Sequence, residues 1–135
     1  REHLQTAYDK LQACYAADSK ANRTEEGAAD ARFHLAIAEA SHNIVLLHTI
    51  RGLFDLLKRN VVTNIGGMYA LREESRRMLV TQHGALFEAI MHGRADEARR
   101  LASEHISYVQ EVLDQSQQES VRLARSQRRE RSPKH

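Results

Sequence analysis

Three histidines and one aspartate stand at spacings that suit a metal ion. Asp30 and His34 are four residues apart, so on a helix a carboxylate and an imidazole project from one face, one turn apart. Taken alone, that pair is equally a surface hydrogen bond. His83 and His105 strengthen the pattern, because each interrupts an apolar stripe. His83 stands among Leu79, Val80, Leu86 and Phe87, and His105 among Leu101, Ala102, Tyr108 and Val109. Gly93 comes ten residues after His83 and twelve before His105. At about 1.5 Å rise per residue, the two lie roughly 15 and 18 Å from that break. In an antiparallel hairpin they come level and face one interior. Each histidine singly reads as a core residue bonded to a carbonyl; three converging with an aspartate read as a three-nitrogen, one-oxygen site. That set suits zinc first, and also nickel, manganese or iron. It leaves positions on the ion that a chelating organic acid can fill.

The elements that must hold these residues are helices. The chain has 135 residues, 41% of them hydrophobic, with one proline and six glycines. That length supports one sizeable core, and so few breakers favour long helices. Period-two alternation is missing, so no strand is expected. The first helix is predicted from Glu2 to Ala17, with Leu4, Ala7, Tyr8, Leu11, Cys14 and Tyr15 on its apolar face. A polar loop follows over Asp18–Gly27. The second helix is predicted from about Glu26 to Ala40, and Ser41-His42-Asn43 supplies cap residues. The third runs from Ile44 to Asn64, is stopped by Gly66-Gly67, and is apolar on two sides, which predicts a central place in the bundle. The fourth runs from Arg72 to Met91, burying Leu79, Val80, Leu86, Phe87 and Ile90. The fifth runs from Ala95 to at least Gln118, burying Ala98, Leu101, Ala102, Tyr108, Val109 and Val112. The expected fold is an all-α antiparallel bundle with a metal site in its interior. Residues 1–121 are expected to form the metal- and effector-binding domain, and 122–135 a basic C-terminal tail.

Charge and composition exclude several functions. The net charge is +2, but Arg122–His135 holds six Lys/Arg and one acid, which leaves residues 1–121 at −3. An acidic body is a poor nucleic-acid surface, and the tail has no aromatics to stack bases. That tail is expected to be a solvated helix end that frays. A single cysteine, Cys14, forbids an intrachain disulfide and reads as a small buried apolar side chain. No apolar run reaches the length of a membrane span, and no signal peptide opens the chain. A cytoplasmic location is therefore expected. The chain begins with Arg1 rather than a methionine and is read as a segment of a longer protein.

Lesser candidates lie nearby. Arg51 and Lys58 are two helical turns apart on the third helix. Either could anchor an effector carboxylate; the plainer reading is that both reach the surface. Asn43 could face the pocket, although capping is its simpler role. Glu39-Ala40-Ser41-His42 has the Glu-x-x-His form of di-iron bundles, but a second copy is missing. His48 and His92 have no evident partners.

The run Asp30-Ala31-Arg32-Phe33-His34-Leu35-Ala36-Ile37-Ala38-Glu39-Ala40-Ser41-His42-Asn43 closely resembles the metal-site region of FadR C-terminal (FCD) domains, the effector modules of the GntR regulator superfamily. So do His83-Gly84-Ala85-Leu86-Phe87-Glu88-Ala89-Ile90, then Gly93-Arg94-Ala95-Asp96-Glu97-Ala98-Arg99, and the closing His105-Ile106. The resemblance spans about residues 24–120. Its Ala-Glu-Ala-Ser-His-Asn wording is most similar to regulators that answer to lactate, glycolate or pyruvate. It implies a helical bundle that binds a divalent metal through Asp30, His34, His83 and His105, with a small carboxylate effector beside it. It also implies a homodimer whose DNA binding is done by a separate winged helix-turn-helix domain outside this chain. The family's earlier helix, with an effector-anchoring arginine, has no counterpart before Asp30, and is expected to be missing here or supplied by a neighbouring copy. The sequence thus reads as a sensing module rather than an enzyme. The alternative is a metal-dependent helical-bundle hydrolase, which needs an open metal position and a nearby general base. His-Glu-x-x-His is missing, and Glu104 should point away from the interior.

Overall fold

The computed structural model describes residues 1–17, 23–52 and 73–131. Every regular element among them is a helix, as the periodicity predicts. The chain divides into two compact units, Arg1–Ala70 and Leu71–His135.

The first unit pairs α1 (Glu2–Ala17) with α2 (Arg23–Ala40). Leu4 and Leu11, two turns apart, are fully buried on α1, and Ala29, Phe33 and Ala36 are buried on α2. The Tyr8 and Phe33 rings meet across the pair with centroids 5.6 Å apart. Alanines flanking Phe33 let the two helices approach, and the phenyl ring fills the seam. The second helix begins at Arg23, inside the stretch expected as a loop. Glu25 and Glu26 in its first turn favour an N-terminus there, because they complement the positive end of the helix dipole. Gly27 costs about 1 kcal/mol relative to alanine in a helix. Burying one Phe side chain contributes about 1.5–3 kcal/mol, so packing of the Phe33 turn prevails.

Phe33→Ala is expected to destabilise the protein by about 3–5 kcal/mol, the usual loss when a buried phenyl leaves a cavity. Chemical denaturation monitored by circular dichroism measures this, and a loss below 1 kcal/mol would show that Phe33 is not the centre of this seam.

The α2 terminus turns sharply. Ser41 Oγ donates to the Ala38 carbonyl at 2.6 Å, and His42 takes the left-handed conformation with φ 55°. Asn43 then caps α3, of which residues 44–52 are described: its Oδ1 accepts the Leu46 N–H at 3.1 Å. The capping role foreseen for Asn43 is therefore met. Over the described part of the third helix, Leu47 and Ile50 of its two apolar stripes are half-buried, while Leu46 is 39% exposed and Ile44 and Val45, which precede the stripes, are 66% and 71% exposed. Residues 53–64, Lys58 and the Gly66-Gly67 stop lie outside the described residues.

Cys14 is half-buried, more open than its sequence reading. Burial pushes its thiol above the ordinary value, and the nearby Glu25 and Glu26 charges push the same way, with Arg32 opposing. Less thiolate exists at a given pH, so Cys14 should alkylate more slowly at pH 8 than in denatured protein. Equal rates with a small alkylating reagent would contradict this environment.

The second unit is a hairpin of α4 (Glu73–Met91) and α5 (Ala95–Glu130). Its turn is a Schellman motif: Gly93 N–H donates to the Ile90 carbonyl and Arg94 N–H to that of Ala89, at 3.1 and 2.9 Å. Gly93 has φ 69°, a conformation that costs a side-chain-bearing residue about 1 kcal/mol or more. Asp96 and Glu97 stand in the first turn of α5, as expected. On α4, Leu86, Phe87 and Ala89 are buried, while Leu79, Val80 and Ile90 are half-buried. The apolar residues predicted for α5 are half-buried, and among the described residues of α5 only His105 is buried. At 36 residues α5 runs on past Gln118, the least extent the sequence predicts for it. Residues 122–130, assigned to the tail, are helical, and Arg128 and Arg129 in the last turn complement its negative end.

Candidate metal centre

Two pairs of metal-competent side chains form, one in each unit. On α2, His34 Nε2 lies 3.2 Å from Asp30 Oδ1, with both residues half-buried. The i,i+4 spacing produces this directly, and Phe33 beside His34, ring centroids 5.6 Å apart, limits where the imidazole can turn.

The second pair is set by the α4–α5 turn. His83 is 0% and His105 4% exposed, and their Nε2 atoms stand 3.2 Å apart. The rings meet edge-on, with centroids 4.6 Å apart. The counting from Gly93 therefore holds: ten residues down one helix and twelve up the other bring the imidazoles level. Two neutral imidazole nitrogens cannot both be donors or both acceptors toward each other. The pair must hold a proton between its nitrogens or offer both lone pairs to a cation. Nitrogens 3.2 Å apart, each about 2.0–2.1 Å from one ion, would subtend about 100° at it. That lies between octahedral and tetrahedral angles, so the Nε2 separation suits a divalent metal.

One partner of this pair was missed in the sequence. His105 Nδ1 lies 2.8 Å from Gln82 Oε1. A glutamine carries no helical-period signal, and only its place beside His83 could have drawn notice.

The lesser candidates are placed as follows. Arg51 reaches back to Glu39, with Nη2 3.6 Å from Oε1 and both side chains substantially exposed. His42 and His48 are exposed. His92 is exposed and bonds its own helix, Nδ1 lying 2.8 Å from the Glu88 carbonyl oxygen. Glu104 is exposed and held by Arg100 Nη1 at 2.9 Å. It is not the general base that the hydrolase alternative requires.

The FCD domain matches residues 1–108. The chain belongs to the FCD domain family. The match covers α1 as well as the motifs and ends just beyond His105, whereas the motifs alone mark about residues 24–120. Among curated proteins, the chain is 41% identical over 117 residues to a protein of Escherichia coli K12 named as a candidate regulatory protein of the L-lactate dehydrogenase operon. The alignment covers 87% of this chain and 45% of that protein. It is 30% identical over 119 residues to the Glc operon transcriptional activator of the same organism, covering 88% of this chain and 46% of the relative. This FCD domain thus spans less than half the length of the relatives it matches. Both relatives are named as regulators, and neither as an enzyme.

Proposed function

We propose that this chain is the ligand-sensing part of a bacterial transcription regulator. In this reading Asp30, His34, His83 and His105 together hold one divalent metal, zinc first, with nickel, manganese or iron as alternatives. The observation that carries it is the buried His83–His105 pair with facing Nε2 atoms. The operon-regulator names of the relatives support the sensing role.

When bound, the ion supplies a Lewis-acidic centre whose net charge, with three neutral imidazoles and one carboxylate, is near +1 and attracts an anion. The chain's residues hold it and shape what enters. The proposed effector is a small 2-hydroxy or 2-oxo carboxylate, whose carboxylate and adjacent oxygen suit two neighbouring positions. Arg51 and Lys58 are proposed to receive its far end. Arg51 is held by Glu39 only in an exposed pair worth about 0–1 kcal/mol, so exchange for an effector carboxylate costs little. Asn43 has its amide oxygen committed to the α3 cap, so its contact would come through the amide nitrogen.

Residues 1–121 are proposed as the sensing domain and 122–135 as a basic extension. The regulator as a whole is proposed to act as a cytoplasmic homodimer, with DNA bound through a winged helix-turn-helix domain outside this chain. Among the described residues no helix is long and apolar enough to cross a membrane. Metal analysis of the purified protein, followed by calorimetric titration with lactate, glycolate and pyruvate, tests the reading. One metal per chain and saturable binding of one of these acids are expected. A metal-free protein that takes up none of zinc, nickel, manganese or iron on titration would overturn it.

A further inference from the structure

We infer that Gln82 is a positioning residue for His105, fixing its tautomer so that Nε2 presents a lone pair toward His83. This rests on the metal-site reading above. His105 Nδ1 stands 2.8 Å from Gln82 Oε1, and an amide oxygen only accepts hydrogen bonds. Nδ1 therefore carries the proton, and in the neutral ring Nε2 is left as the acceptor. That Nε2 is the atom 3.2 Å from His83 Nε2. Gln82 is half-buried on α4, one residue before His83, so a single helix supplies both a proposed ligand and the orienting group for its neighbour.

The amide's two ends have opposite consequences. With its oxygen toward His105, the imidazole is ready for a metal; with its nitrogen there, Nδ1 would accept and Nε2 would carry a proton into the site. Ligating histidines are commonly oriented by an acceptor on the second ring nitrogen, and losing such a partner weakens metal binding about 10–100-fold. Gln82→Met keeps the length and removes the acceptor. Gln82→Glu keeps an acceptor and makes it stronger.

The test is zinc affinity by competition with a chromophoric chelator, paired with nitrogen NMR of the His105 tautomer in metal-free protein. Q82M should bind zinc about 10–100-fold more weakly, Q82E as tightly as the parent or tighter, and the parent but not Q82M should favour the Nδ1–H form. Affinities within twofold across all three would overturn the inference. So would equal weakening in Q82M and Q82E with an unchanged tautomer, the result of a packing role alone. If the parent binds none of zinc, nickel, manganese or iron, the metal reading fails, and the tautomer comparison still decides what Gln82 does. If Q82M does not fold, a parent protein with its proton on Nε2 overturns the inference by itself.

Discussion

His83→Ala and His105→Ala are each expected to remove stoichiometric metal. Each takes one of four proposed ligands from a buried position, His83 being 0% and His105 4% exposed. Loss of an orienting partner alone costs about 10–100-fold in metal affinity, so loss of a ligand should cost more than about 100-fold. The fold should tolerate the change better than the site does. Alanine is a good helix former, and the Schellman turn at Gly93 sets the hairpin register independently of either imidazole. Metal content by mass spectrometry, beside unfolding curves for each variant, separates the two effects. Near-stoichiometric metal in both folded variants would refute ligation by this pair.

Stripping the metal is expected to abolish binding of the small carboxylate. In the proposed arrangement the acid's main partner is the ion, and Arg51 alone is too exposed to hold it. At a concentration about 100 times its Kd, an effector that binds only the native state stabilises it by about 2.7 kcal/mol. For a domain of this size that is a rise on the order of 10 °C in Tm. The metal-loaded protein should show that rise and the metal-free protein none. Equal shifts in both, with the stripped protein shown to be folded, would refute coordination of the acid by the metal. A lost shift in Arg51→Ala with metal retained would assign Arg51 the far end of the ligand. A full shift would leave Arg51 as the exposed partner of Glu39.

What the sequence determined is what depends on spacing along one helix or across one tight turn. Asp30 and His34 meet because four residues make about one turn, and they do so at 3.2 Å. His83 and His105 meet because Gly93 takes a conformation that other residues resist, which places the turn and therefore the register. The acidic first turn of α5 and the Asn43 cap are legible for the same local reason. Tertiary structure decided what depends on neighbours. The loop expected over Asp18–Gly27 gives way to α2 from Arg23, because packing of the Phe33 turn outweighs a glycine penalty of about 1 kcal/mol. The exposure of Ile44 and Val45 could not be read from apolar periodicity, which says which residues share a face but not whether anything covers it. Arg51 finds Glu39 across the turn after α2, a partner set by the path of the chain there. Gln82 is the sharpest case: a glutamine beside a histidine carries no pattern. Its role emerges only when α5 folds back and sets His105 Nδ1 2.8 Å from its amide oxygen.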